Sequence, residues 1–179
     1  MSGKAREEDP PLPSDNLNRA LAYGRADGES ARHIGLVGDT YTILVAGEDT
    51  SDRFSVIDMY VPPGGGPGPH RHDFEETFIL LEGEMNFVFR GEMLTARAGD
   101  TLNIPSNAPH RFRNASSKPV RMISICSPAG NERFFQEIGV PVATRTTPPP
   151  AMNEKQMAEF LEKAKAIAPK YRTELLEET

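Results

Sequence analysis

The chain has 179 residues, a formal net charge of −6 and 26% charged residues, a length that favours a single domain with one well-buried core. An acidic balance with scattered Lys and Arg argues against a nucleic-acid partner, because phosphate binding needs clustered cations. No run of eighteen apolar residues occurs, so no spanning helix and no membrane partner are expected.

The opening stretch MSGKAREEDPPLPSDN is polar and Pro-rich and lacks the apolar centre of a signal peptide. It predicts a flexible segment over 1–18 and a cytoplasmic protein. The lone Cys126, in the apolar run RMISICS, has no partner for an internal disulfide and reads as a packed core thiol. The first strands are predicted over 41–45 and 54–61, joined by the turn-like GEDTSDR. Short β runs then alternate with turn clusters such as VPPGGGPGP, ARAGD and NASSKP, the pattern of an all-β sandwich or barrel. The GGGPG stretch lacks the Gly-Lys-Ser/Thr ending of a phosphate cradle and is better read as a tight entry into the next strand.

That next strand carries the chemistry. His70 and His72 are two apart, so on a strand both imidazoles turn to one face. Glu76 follows four residues later in FEETFILLEGEMNF, which reads as strand, turn, strand with Gly83 at the turn, and His110 opens another β run in IPSNAPHRFRN. Any one histidine alone is more often a surface or satisfied core residue. Three of them with a carboxylate at these spacings read as metal ligands. His33 stands apart from the group and reads as a surface histidine.

Residues 64–83, GGGPGPHRHDFEETFILLEG, resemble the first cupin motif, G-x5-H-x-H-x3-E-x6-G, with Gly64, His70, His72, Glu76 and Gly83 in place. Residues 99–114, GDTLNIPSNAPHRFRN, resemble the second, G-x5-P-x-G-x2-H-x3-N, with Gly99, Pro105, His110 and Asn114 matching and Asn107 where the pattern has glycine. Asn is the non-glycine residue that best tolerates positive φ, so the turn is expected to survive. The stretches LVAGEDTSDRFSVIDMYVPPGGGPGPHRH and PAGNERFFQEIGVP are also similar to a bacterial group of single-domain cupins labelled quercetin-dioxygenase-like. The resemblance implies an all-β, double-stranded β-helix, or jelly-roll barrel, with C-terminal helices. It implies a barrel over 19–140 and one divalent metal ion (Fe, Mn, Ni, Co, Cu or Zn) held by His70, His72, Glu76 and His110, of which Glu76 is also a catalytic candidate that swings off the ion to take a proton. Motif spacing favours Glu76 over Glu75, whose opposite parity points it away from the interior. Three neutral imidazoles and one carboxylate leave a divalent ion near +1, suited to anionic oxygen donors, and the absence of thiolate ligands argues against a structural zinc.

Strand parity gives the expected lining. Phe78 shares the face of Glu76, Phe112 that of His110, and Phe87 lies in the apolar alternation of the next strand; these three are the expected substrate contacts. No second acid, base or nucleophile stands out, which favours a dioxygenase acting on a small enolisable or phenolic compound. A non-catalytic binding or sensing cupin and a metal-dependent isomerase or lyase remain the alternatives. Beyond the barrel, Asn131 is expected to cap a helix over ERFFQEI ending at Gly139. Three prolines, 148–150, lead to a last helix capped by Asn153 with Gln156 three residues on. Its Met157, Phe160, Leu161 and Ala164 form one apolar face, suited to packing on the barrel wall, to a dimer contact, or to a lid over the mouth. The resemblance implies a homodimer.

Overall fold

The computed structural model describes residues 11–177. The flexible segment expected over 1–18 falls partly outside the described residues; its described part, 11–18, is exposed and carries no helix or strand. The strands are β1 (Arg32–Leu36), β2 (Asp39–Val45), β3 (Ser55–Val61), β4 (His70–His72), β5 (Glu75–Glu82), β6 (Glu84–Phe89), β7 (Glu92–Arg97), β8 (Thr101–Ile104), β9 (His110–Arg113), β10 (Val120–Ser127), β11 (Val140–Pro141) and β12 (Thr173–Leu175). The helices are α1 (Gly47–Thr50), inside the predicted turn, α2 (Asn131–Ile138) and α3 (Glu154–Ile167).

Two antiparallel sheets face each other. One runs β11-β1-β2-β3-β10-β5-β8 and the other β12-β4-β9-β6-β7. This is the all-β jelly-roll arrangement expected from the motifs. Alternation decides which side chains fill the space between the sheets: Ile57, Met59 and Val61 from β3, Phe78 and Leu80 from β5, Met85 and Phe87 from β6, and Val120 and Met122 from β10 are at most 2% exposed. The strand, turn, strand over FEETFILLEGEMNF is present, yet β5 and β6 do not pair with each other. At Gly83, with φ +83°, the chain crosses from one sheet to the other, which places Glu76 opposite the histidine strands instead of beside them.

The segment after the barrel returns to it. α3 begins as expected, with the Asn153 side chain accepting from the Gln156 backbone and the Gln156 side chain accepting from the Asn153 backbone. α2 begins differently: Gly130, with φ +138°, occupies the cap, and Asn131 lies inside the helix with its amide donating to Cys126 Sγ at 3.6 Å. Glu132 accepts the Gly130 N–H at 2.8 Å and the Gly47 N–H at 3.0 Å, tying the start of α2 to that of α1. After α3 and a 3-10 turn over Ala168–Tyr171, β12 pairs antiparallel with β4, setting Thr173 opposite His72 and Leu175 opposite His70. Arg71 to Glu174 at 2.5 Å and Arg172 to Asp73 at 3.0 Å tie the same junction. Among the described residues no helix is long and apolar enough to cross a membrane.

Candidate metal centre

His70 and His72 stand on β4, His110 is the direct cross-strand partner of His70 on β9, and Glu76 projects from β5 of the facing sheet. Their donor atoms all lie within 4.8 Å of one another, close to the spacing taken up by ligands each about 2.1 Å from one ion. His72, Glu76 and His110 are each 3% exposed, and His70 sits half-buried at the edge.

The ring orientation is fixed by the backbone. His70 Nδ1 lies 2.9 Å from Gly68 O, His72 Nδ1 3.0 Å from Phe74 O, and His110 Nδ1 3.0 Å from Ala108 O. A carbonyl only accepts, so each Nδ1 carries a proton and each neutral ring turns an Nε2 lone pair inward, the tautomer that a metal requires. Phe74 stacks on His72 with ring centroids 3.8 Å apart, and Asn107 adopts φ +66° so that its N–H reaches His72 O at 2.7 Å. The substituted turn of the second motif survives and holds the first.

Two observations fit a cation here. His72 Nε2 lies 3.0 Å from Glu76 Oε2; with the His72 proton on Nδ1 these are two lone-pair atoms, and a positive charge between them makes the approach favourable. His110 Nε2, 3.5 Å from the same oxygen, is buried without a hydrogen-bond partner, the kind of orphan that calls for an explanation. The four side chains could therefore hold one divalent metal ion. The far oxygen of Glu76 accepts from Ser124 Oγ at 2.7 Å, with Cys126 Sγ at 3.7 Å. Burial raises the Glu76 carboxyl, and a positive charge in the cluster, on the imidazoles or on a cation between the donors, is what holds it well below the usual carboxylate range. Such a carboxyl is a good ligand and a weak base. Burial, and then the neighbouring His110, push His70 down to about 3.

The cluster opens into a cavity of about 460 Å³, the size of a small-molecule site. Its walls are largely apolar, including Leu36, Phe112, Phe134, Phe135, Ile138 and Phe160. Of the three expected substrate contacts, Phe112 lines this space. Phe78 and Phe87 are fully buried and pack behind it, with centroids 5.5 and 5.7 Å from the Phe112 ring, so they support the wall without reaching the cavity. Glu75 points outward to Asn103 and the Ser106 N–H, as its parity requires. His33 is half-buried, bonded to Thr42 Oγ1 at 2.8 Å. Phe160, Leu161 and Ala164 of α3 line the cavity together with α2, so the last helix forms part of its wall.

Two further lining groups, Asp39 and Tyr41, carry no motif that marks them in the sequence. Asp39 is 2% exposed, takes the Tyr41 hydroxyl on Oδ2 at 3.1 Å, and leaves Oδ1 buried without a partner. Burial raises its carboxyl to about 7, partly offset by the Tyr41 hydroxyl and the nearby Gly66 backbone. The signal was a carboxylate sharing the inward parity of Tyr41.

A two-sheet barrel with three imidazoles and a carboxylate converging between the sheets defines a jelly-roll protein with a candidate mononuclear metal site. Residues 57–126 match the family model described as Cupin domain, Cupin_2, and this chain belongs to the cupin superfamily. Over 124 residues it is 32% identical to quercetin 2,3-dioxygenase of Bacillus subtilis (strain 168), covering 68% of this chain and 36% of that protein. Over 67 residues it is 36% identical to polyketide synthase CurC of Streptomyces cyaneus, covering 37% of this chain and 44% of that protein. The chain thus spans less than half the length of either relative. Among solved structures, an RmlC-like cupin from Shewanella frigidimarina superposes with a TM-score of 0.53 at 18% identity, over 65% of this chain and 99% of that one, a shared fold.

Proposed function

We propose that this cupin is a metal-dependent oxidoreductase of the dioxygenase type, acting on a small enolisable or phenolic compound with His70, His72, Glu76 and His110 as the metal ligands. The observation that carries the reading is the placement of four convergent donors at one end of an apolar, aromatic-walled cavity of about 460 Å³. A bound divalent ion supplies Lewis acidity and a fixed point for the ligand's oxygen atoms. The rings of Phe112, Phe134, Phe135 and Phe160 exclude water and suit a planar organic body. Glu76, fixed by Ser124, is the one negative donor, which would leave a divalent ion near +1 and so able to take an anionic oxygen ligand. The resemblance of 124 residues to a quercetin dioxygenase supports the reaction class.

The test is the metal content of the purified protein, followed by oxygen consumption after loading with Fe, Mn, Ni, Co or Cu, against flavonols and β-dicarbonyls. Uptake that depends on one metal and one compound is expected. Bound metal with no uptake under any loading overturns the dioxygenase reading and leaves a binding protein or a metal-dependent isomerase or lyase.

A further inference from the structure

Four buried side-chain atoms among the described residues lack a hydrogen-bond partner: Asp39 Oδ1, Ser55 Oγ, Asp58 Oδ1 and His110 Nε2. Asp58 already binds Arg121 through its other oxygen at 2.6 Å, and it and Ser55 lie away from the cavity lining. His110 belongs to the metal cluster. Asp39 is the remaining case, and it lines the same cavity as His70, His72 and Glu76.

A carboxyl kept only to tether the glycine loop that follows β3 would place both oxygens on backbone N–H groups. Asp39 does not: one oxygen takes the Tyr41 hydroxyl, and the other rests against the glycine loop, near Gly65 and the Gly66 backbone, without a hydrogen bond of normal geometry. Leaving a buried acceptor unmet is costly, a cost that points to use by a ligand. Glu76, the other acid deep in the cavity, has one oxygen held by Ser124 and turns the other to the imidazole cluster as a candidate metal donor.

We propose that Asp39, oriented by the Tyr41 hydroxyl, is the proton acceptor for an enol or phenol hydroxyl of the ligand bound in this cavity. The ligand O–H bond breaks, its electron pair stays on the ligand oxygen, and the proton forms a new O–H bond on the Asp39 carboxylate; nothing is oxidised or reduced in the step. The inference rests on the proposed function and narrows it to ligands that arrive as neutral hydroxyl compounds and are held as oxyanions. A carboxyl that titrates near neutrality is matched to such a task, and Asp39 is held at about 7. Besides Tyr41, the titratable groups lining the cavity are His70, His72, Glu76, Lys165 and Glu177.

The zinc-loaded full chain is titrated with 3-hydroxyflavone at pH 6 and pH 8. Wild type is expected to bind about tenfold more tightly at pH 8, following the ionised fraction of a group near 7, whereas Asp39→Asn has no acceptor, releases the ligand proton to solvent, and is expected to bind about a hundredfold more tightly at pH 8. A pH effect in Asp39→Asn that equals the wild-type tenfold overturns the proposal. The chain has no Trp and four Tyr, so tyrosine emission from pH 5 to 9 gives a readout that needs no ligand. A quenching transition near pH 7 is expected in wild type and is lost in both Asp39→Asn and Tyr41→Phe; its absence from wild type overturns the proposal. Failure of 3-hydroxyflavone to bind counts against the proposed substrate class, and the emission transition then decides on Asp39 alone.

Discussion

Replacing Asp39 with Asn should make the protein more stable above neutrality and change it little in acid. The carboxyl is 2% exposed and moves from an ordinary value of 3.8 to about 7 on folding. A group whose folded value is raised contributes stability that is fully present below the unfolded value and is lost as pH rises through the folded one. For Asp39 that window is pH 4 to 7, and the loss has a ceiling of roughly 4 kcal/mol. Relaxation around the charged form and rearrangement of the Tyr41 hydrogen bond reduce this to about 2 kcal/mol, or ~4–8 °C in melting temperature for a chain of this size. Asn keeps the shape and removes the charge, so thermal unfolding of Asp39→Asn should exceed wild type by that amount at pH 8 and match it at pH 4.5. A variant that melts lower than wild type at pH 8 would show that Asp39 is structural, held ionised by the loop, and the reasoning from its unmet oxygen would fall.

His110→Ala, His70→Ala and His72→Ala should each sharply lower metal content by elemental analysis, with Glu76→Gln milder because the amide oxygen still donates; a His110→Ala protein with wild-type loading would refute the ligand set. Gly66→Ala should cost at least about 2 kcal/mol by chemical denaturation, since Gly66 sits at φ +117° and an added Cβ would meet Phe112 O at 2.2 Å; an unchanged midpoint would refute the packing. Glu174→Pro removes a ladder donor from β12 and the ion pair to Arg71, and should weaken metal retention at least about tenfold against a chelator; unaltered retention would show that β4 needs no outer partner.

The convergence of His70, His72, Glu76 and His110 was legible because short-range parity and fixed spacing carry it: His70 and His72 on one strand face and Asn107 as a tolerated positive-φ residue are local facts. What remained illegible depends on contacts between distant segments. Nothing near Phe78 or Phe87 says that the Phe112 ring lies between them and the cavity. Asn131 has the residue type of a cap, yet the left-side φ of Gly130 takes that position and the Asn131 amide turns to Cys126. Asp39 shares its parity with Tyr41, but only the covering of that strand by α2 and the glycine loop turns an ordinary acid into a buried one. β12 is three residues long and carries no alternation strong enough to announce a strand.

The pairing of β12 with β4 bears on the order in which the protein matures. Arg71 and its partner Glu174 are 103 residues apart, so a nascent chain emerging from the ribosome presents the histidine strand as an open sheet edge long before its outer neighbour exists. Such edges recruit other strands, and contacts of this separation close late. Loading of the ion is therefore expected to follow completion of the fold, and a chain arrested before residue 173 would be both poorly metallated and prone to edge-to-edge association.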